Sequence, residues 1–272
     1  MSEARSEGTG QSLPHLYGFH DVRYPERWVL DTMRLRAITF DVTNTLIRCP
    51  RVAEIYAEVL RRHGIQASMD EVDHWIPVVW QELLCRTETG RERFSLHPDG
   101  ARGWWRDFLD RLCDYLGSPR RPTRFTASEL YHRFARADAW DVYPEVRPTL
   151  AALQEMGVKL GVVSNWDERL GPLLTRLDLT RYFDALVVSA RVGLEKPDPR
   201  IFHYALDLLE VEPEEAAHVG DSAQDDVEGA LAVGMKAFHL VRQGERAALE
   251  EVAPDTEGLV DLTPLPEAVV GL

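Results

Sequence analysis

Residues 35–45 read Leu35-Arg36-Ala37-Ile38-Thr39-Phe40-Asp41-Val42-Thr43-Asn44-Thr45. A short apolar, β-branched run ends in an acid, the pattern of a buried strand. Four further runs of this kind occur: Lys159 to Ser164 (KLGVVS), Ala185 to Ser189 (ALVVS), Ala216 to Gly220 (AAHVG) and Lys236 to Val241 (KAFHLV). Helical stretches alternate with them at Val146 to Met156, Arg200 to Glu210 and Asp226 to Val233. Strands alternating with helices predict an α/β fold with a doubly wound parallel sheet. In such sheets functional residues gather at the carboxyl ends of the strands.

One interval breaks the alternation. From about Pro50 to Ala139 the periodicity is helical, as in RVAEIYAEVLRRHG, EVDHWIPVVWQELL and ARGWWRDFLDRLCDYLG. A helical module inserted straight after the first strand predicts a cap over a strand-end site. The organisation is then an extension over residues 1–34, a core made of 35–49 and 140–272, and a helical cap over 50–139. The first 14 residues are small and polar, the composition of a disordered tail.

Four short motifs lie at predicted strand ends. Asp41 follows the first strand, where a carboxylate serves as a nucleophile, a metal ligand or both. A turn or helix cap explains the same residues of Asp41 to Thr45. Ser164 and Asn165 end the second run, and a hydroxyl with an amide there can bond a phosphate oxygen or cap a turn. Lys196 stands in Gly193-Leu194-Glu195-Lys196-Pro197-Asp198-Pro199, ready to meet a phosphoryl group or simply to be solvated. Val219-Gly220-Asp221-Ser222 leads into Asp225-Asp226-Val227, which offers oxygen ligands for Mg²⁺ or caps for a helix.

Taken together and in this order, the four motifs resemble the haloacid dehalogenase superfamily. The resemblance spans about Leu35 to Val241, with a Rossmann-like core and the helical insertion in the place of a cap. Trp140 to Val146 (WDVYPEV) and Gly229 to Met235 (GALAVGM) match further phrases of that pattern. The opening Asp41-Val42-Thr43-Asn44-Thr45-Leu46-Ile47-Arg48 is similar to the haloacid dehalogenase-like hydrolase domain-containing subgroup.

The resemblance implies a Mg²⁺-dependent phosphohydrolase acting on a small phosphorylated metabolite through an aspartyl-phosphate. Asp41 takes the place of the nucleophile. Asp41, the Thr43 carbonyl and Asp221 match the metal ligands. Asp226 matches the supporting acid better than Asp225, because Asp226 to Ala230 continues in the family's phase. Ser164, with Asn165 beside it, matches the phosphate-binding hydroxyl, and Lys196 matches the lysine that neutralises nucleophile and phosphoryl oxygens. One position departs. Family phosphatases carry a second Asp two residues after the nucleophile, as general acid and base, and here it is Thr43. Loss of such a group costs about 10²- to 10⁴-fold. The expectation is weakened or specialised turnover. The alternative is a pseudo-phosphatase that binds a ligand or partner. Dehalogenation at carbon fits less well, because it needs no metal site.

Within the cap, Trp75, Trp80, Trp104 and Trp105 are candidates for an apolar lining, and Arg91, Arg93 and His97 for polar contacts, although tryptophans at helical spacing more often build a helical core. No histidine pair has metal-ligand spacing. The 272 residues carry 45 acids against 31 bases, a net charge of -14, which argues against nucleic acid or an anionic membrane as partner. No apolar run is long enough to cross a membrane, and no signal peptide precedes the body. Cys49, Cys85 and Cys113 read as thiols of a reducing compartment, so the expected location is the cytoplasm. The composition fits a monomer or a homodimer.

Overall fold

A computed structural model describes residues 35–85, 91–242 and 257–271. The expected extension over residues 1–34 lies outside them. The central sheet has six strands. They are β1 (Ala37–Phe40), β4 (Lys159–Ser164), β5 (Ala185–Val188), β6 (Ala216–Gly220), β7 (Lys236–Leu240) and β8 (Glu257–Leu259), in the order β5-β4-β1-β6-β7-β8 with every pair parallel. The chain builds outward from β1 to β5, then crosses back to lay β6 on the other side of β1. The strand order therefore reverses at β1, and a crevice opens beyond its carboxyl end. β1 is buried along its whole length, as a strand covered on both faces should be.

Two short strands lie apart from this sheet. β2 (Ile47–Arg48) and β3 (Asp141–Val142) pair antiparallel, Ile47 opposite Val142. The chain leaves for the helical insertion through β2 and returns through β3, so the two crossings are tied side by side. Neither strand is long enough to show a period in the sequence.

The insertion holds α1 (Val52–Arg62), α2 (Met69–Cys85), α3 (Gly100–Tyr115) and α4 (Arg124–Arg133). In α1, Ile55, Val59 and Leu60 fall on one face and are buried, while Glu54 in the first turn and Arg61 and Arg62 in the last suit the helix dipole. α2 runs through Pro77 despite the missing backbone donor there. The four helices share a hydrophobic cluster of their own, with Tyr56, Phe94, Trp104, Phe108 and Leu112 at its centre. The β-sheet has separate clusters on its two faces, one against α5 (Val146–Glu155) and α6 (Leu170–Arg176), the other against α8 (Pro199–Leu209). A four-residue helix, α7 (Ser189–Val192), follows β5. α10 (Leu265–Gly271) closes the chain beside α5. Among the described residues no helix is long and apolar enough to cross a membrane.

After β6 the predicted helix takes an unexpected form. Ala223–Glu228 winds as a π-helical segment before α9 (Gly229–Ala232). A π turn absorbs one extra residue within a helix. Here it carries Asp226 back over the end of β6, where Ser222 N donates to Asp226 Oδ2 at 3.0 Å. Gly220 makes this approach possible, because a Cβ there would collide with the Asp226 carboxylate. Gly220→Ala should therefore lower the melting temperature by about 3–10 °C, the effect of an overpacking strain of about 1–3 kcal/mol on a chain of this size. Thermal unfolding of the variant beside wild type checks this, and an unchanged midpoint would show that the carboxylate has room to move.

Candidate functional site

Asp41 stands one residue beyond β1. Its N–H donates to Val219 O at 2.9 Å, which continues the sheet ladder and aims the side chain out of the carboxyl edge. The turn that follows is tight. Asn44 adopts a left-handed backbone with φ of 59°, a conformation Asn tolerates better than most residues. Arg242 holds this turn from outside the predicted motifs. Its guanidinium donates to Asn44 O at 2.8 Å and Thr45 O at 2.7 Å, and pairs with Glu145 at 2.7 Å.

The end of β4, the loop after α7 and the segment after β6 converge on Asp41. Ser164, the last residue of β4, donates its hydroxyl to Asp41 Oδ1 at 3.0 Å. Lys196 Nζ donates to the same oxygen at 2.7 Å and also to Asp226 Oδ1. Asn165 acts on the lysine loop rather than on Asp41: its Oδ1 accepts from Lys196 N at 2.7 Å and its Nδ2 donates to Lys196 O at 3.0 Å. Carboxylate oxygens of Asp41, Asp221 and Asp226 all lie within 4.8 Å of one another. Asp225 stays outside that trio, at 3.4 Å from Asn165 Nδ2.

Sequence reasoning missed the group behind Asp226. His218 on β6 is buried, with Nε2 at 3.0 Å from Asp226 Oδ1 and Nδ1 at 2.7 Å from Thr39 Oγ1. A neutral imidazole satisfies both contacts, giving its Nε2 proton to the carboxylate and accepting from the hydroxyl. Burial holds its pKa below the ordinary histidine value. The only sequence signal was a polar residue inside an otherwise apolar strand.

The charges are unevenly matched. Burial raises Asp41, and only Lys196 strongly opposes that. Asp221 is pushed up to about 8, by burial first and then by Asp41 and Asp226. Asp225 is raised to about 6, mainly by burial. Burial also acts on Asp226, yet Lys196 and His218 carry it below the usual carboxylate range. Lys196 loses solvation but gains two carboxylates and rises above its ordinary value. One ammonium therefore faces three carboxylates, and Asp221 is the one left short.

A cavity of about 510 Å³ opens above these groups. Asp41, Thr43, Ser164, Asn165, Lys196 and Asp221 lie on its floor side, and the helical insertion supplies most of the rest. Of the candidate lining residues, Trp80, Trp105 and Arg93 reach it. Trp75 packs on Tyr115 at 4.8 Å, Trp104 lies in the helical cluster, His97 turns to Asp107, and Arg91 is exposed. Trp166, Tyr131 and Arg169 line the cavity without a sequence signal, and Trp140, from the WDVYPEV phrase, lines it as well. Thr43 Oγ1 accepts from Trp166 Nε1 at 2.8 Å.

A family model described as haloacid dehalogenase-like hydrolase matches residues 35–234. The chain belongs to this family. As a haloacid dehalogenase-like hydrolase it has the parallel Rossmann-like core expected from its motifs. Mouse haloacid dehalogenase-like hydrolase domain-containing protein 3 is 36% identical over 209 residues, 76% of this chain and 82% of that protein. A glyceraldehyde 3-phosphate phosphatase from Methanopyrus kandleri is 33% identical over 225 residues, 79% of this chain and 88% of that protein. The crystal structure of a HAD phosphatase from Thermococcus onnurineus matches with a TM-score of 0.60 at 29% identity, over 87% of this chain and 98% of that one.

Asp221 gives a pH prediction for stability. Its folded value of about 8 lies above the ordinary 3.8. Between those values the folded chain keeps a proton that the unfolded chain releases, so this group's contribution is full below about pH 4 and lost as pH rises through 8. In a chelating buffer, Asp221→Asn should melt several degrees above wild type at pH 8, with the gap closing toward pH 4. A gap that does not change with pH would contradict the charge imbalance.

Proposed function

We propose that this hydrolase is a Mg²⁺-dependent phosphatase that works through an aspartyl-phosphate on Asp41, with residues 50–139 as its cap. The observation that carries the reading is the seating of Asp41. Its carboxylate sits at the reversal point of the sheet, oriented by Ser164 and Lys196, with Asp221 and Asp226 oxygens within 4.8 Å. That donor set is all oxygen and anionic, as Mg²⁺ prefers, and the raised Asp221 marks excess negative charge that a dication would relieve. Asp41, the Thr43 carbonyl and Asp221 would hold the ion. Both oxygens of Asp226 already accept hydrogen bonds, so its part is to complete the charge. When bound, the ion lowers the repulsion between the carboxylate and an anionic substrate.

The side chains have distinct tasks. A carboxylate oxygen of Asp41 attacks phosphorus, and the bond from phosphorus to the leaving oxygen breaks with its electron pair. Lys196 and Ser164 donate to the transferring phosphoryl group as its charge shifts, in a site already arranged for it. Water then attacks the aspartyl-phosphate, restoring the Asp41 carboxylate and releasing dihydrogen phosphate. Thr43 occupies the place where family phosphatases keep an acid. Its hydroxyl accepts from Trp166 and has no proton to give near neutral pH.

Hydrolysis of an aryl phosphate should need both Mg²⁺ and Asp41. Chelator should abolish it, and Asp41→Asn should lower kcat by at least about 10³-fold, as removal of a nucleophile does. Silence from folded wild type with every phosphate ester offered would favour the pseudo-phosphatase instead. Thr43→Asp should raise hydrolysis of alkyl phosphates by about 10- to 100-fold and of aryl phosphates by less, because only poor leaving groups need the proton. Equal or absent gains would remove Thr43 from the account.

A further inference from the structure

The cavity over Asp41 is polar at one end and apolar elsewhere. Beyond the Asp41 floor it is walled by Tyr56, Trp80, Phe94, Trp105, Trp140 and Trp166. The rings are fixed by one another. Phe94 stacks with Trp105 at 6.0 Å, Trp80 lies 5.9 Å from Trp105, and Trp140 lies 5.3 Å from Trp166. Such walls reward an apolar ring and give nothing to a chain of hydroxyl groups.

Two arginines in the wall would change this if they were free. Neither is. Arg93 donates from Nε to Glu195 Oε2 and from Nη2 to Glu195 Oε1, both at 2.9 Å. Arg169 donates from Nε to Asp167 Oδ1 at 2.8 Å and from Nη1 to Tyr131 O at 2.8 Å. Asp167 accepts from Trp105 as well, at 2.7 Å. Among the described residues the walls thus hold charge in closed pairs, with no spare cation for a substrate carboxylate or second phosphate. The remaining wall carboxyl, Asp225, is engaged by Asn165.

The leaving-group side adds an independent limit. Thr43 cannot protonate a departing oxygen. A phenolate, with a conjugate acid near the tyrosine value of about 10, leaves without help, whereas an alkoxide, closer to water at about 16, does not.

We propose that the substrate is an aryl phosphate, a phosphate ester of a phenolic hydroxyl on an otherwise uncharged, ring-bearing small molecule. This rests on the phosphatase reading above. The bond formed is Asp41 oxygen to phosphorus, and the bond broken is phosphorus to phenolic oxygen. The phenolate takes the electron pair and later a proton from water.

The test is kcat/KM of the full chain with Mg²⁺ on 1-naphthyl phosphate, phenyl phosphate, acetyl phosphate and glyceraldehyde 3-phosphate. 1-Naphthyl phosphate should lead, phenyl phosphate should follow, and glyceraldehyde 3-phosphate should trail by at least about 100-fold for want of an acid. Trp80→Ala should cut the ratio of 1-naphthyl to acetyl phosphate by about tenfold or more through lost ring contact. Trp80→Leu, which keeps an apolar side chain in α2, should cut it less. In Asp41→Asn, 1-naphthyl phosphate should quench tryptophan fluorescence at concentrations where glyceraldehyde 3-phosphate does not. Asp41-dependent hydrolysis that favours glyceraldehyde 3-phosphate would overturn the aryl class and leave the phosphatase reading standing. Hydrolysis of none of the four by a folded chain would overturn both.

Discussion

The Lys196 ammonium, buried between the carboxylates of Asp41 and Asp226, is the interaction on which the rest depends. Charges buried without partners are expensive, and here a single cation serves two anions directly. Much of the local structure exists to keep it there. Asn165 brackets the backbone of Lys196, Glu195 beside it is gripped by Arg93, and His218 braces Asp226 from behind. Gly220 and the π turn let Asp226 come close enough to accept. The imbalance that remains falls on Asp221, which is where a divalent cation has most to offer.

The same lysine loop ties the helical insertion to the core. Arg93 reaches from the insertion to Glu195, one residue from Lys196. Trp105 and Tyr131 of the insertion also meet the Asp167–Arg169 pair, with the Arg169 guanidinium 3.8 Å from the Tyr131 ring centroid. Removing one partner of a buried pair of this kind would leave the other charge uncompensated. The two pairs tie the aromatic walls of the cavity to the Lys196 loop and to the segment after β4, and they keep the Arg93 and Arg169 charges paired.

Much of the fold was legible because buried parallel strands are compact apolar runs. KLGVVS coincides with β4 at both ends, and AAHVG with β6. The short β2, β3 and β8 were not legible, since two or three residues carry no period. Of the site, Asp41, Ser164 and Asp221 could be singled out because each ends or follows a strand, and Lys196 because it stands before a proline just ahead of a helix. The family resemblance favoured Asp226 over Asp225, and the π turn carries Asp226 over the end of β6. His218, Arg242, Trp166 and Arg169 were hidden. Their contacts come from elements distant in sequence, and nothing local distinguishes them from packing residues. Trp75 and Trp104 show the converse: helical spacing identifies a tryptophan but not which side of the module it faces.

The central claim is that Asp41 itself becomes phosphorylated. The direct measurement is acid-quenched single turnover with Mg²⁺ and an aryl phosphate, followed by peptide mass mapping. The account predicts one phosphoryl group on the peptide that contains Asp41, and none in Asp41→Asn. A phosphoryl group on another side chain, or turnover that never labels Asp41, would contradict it.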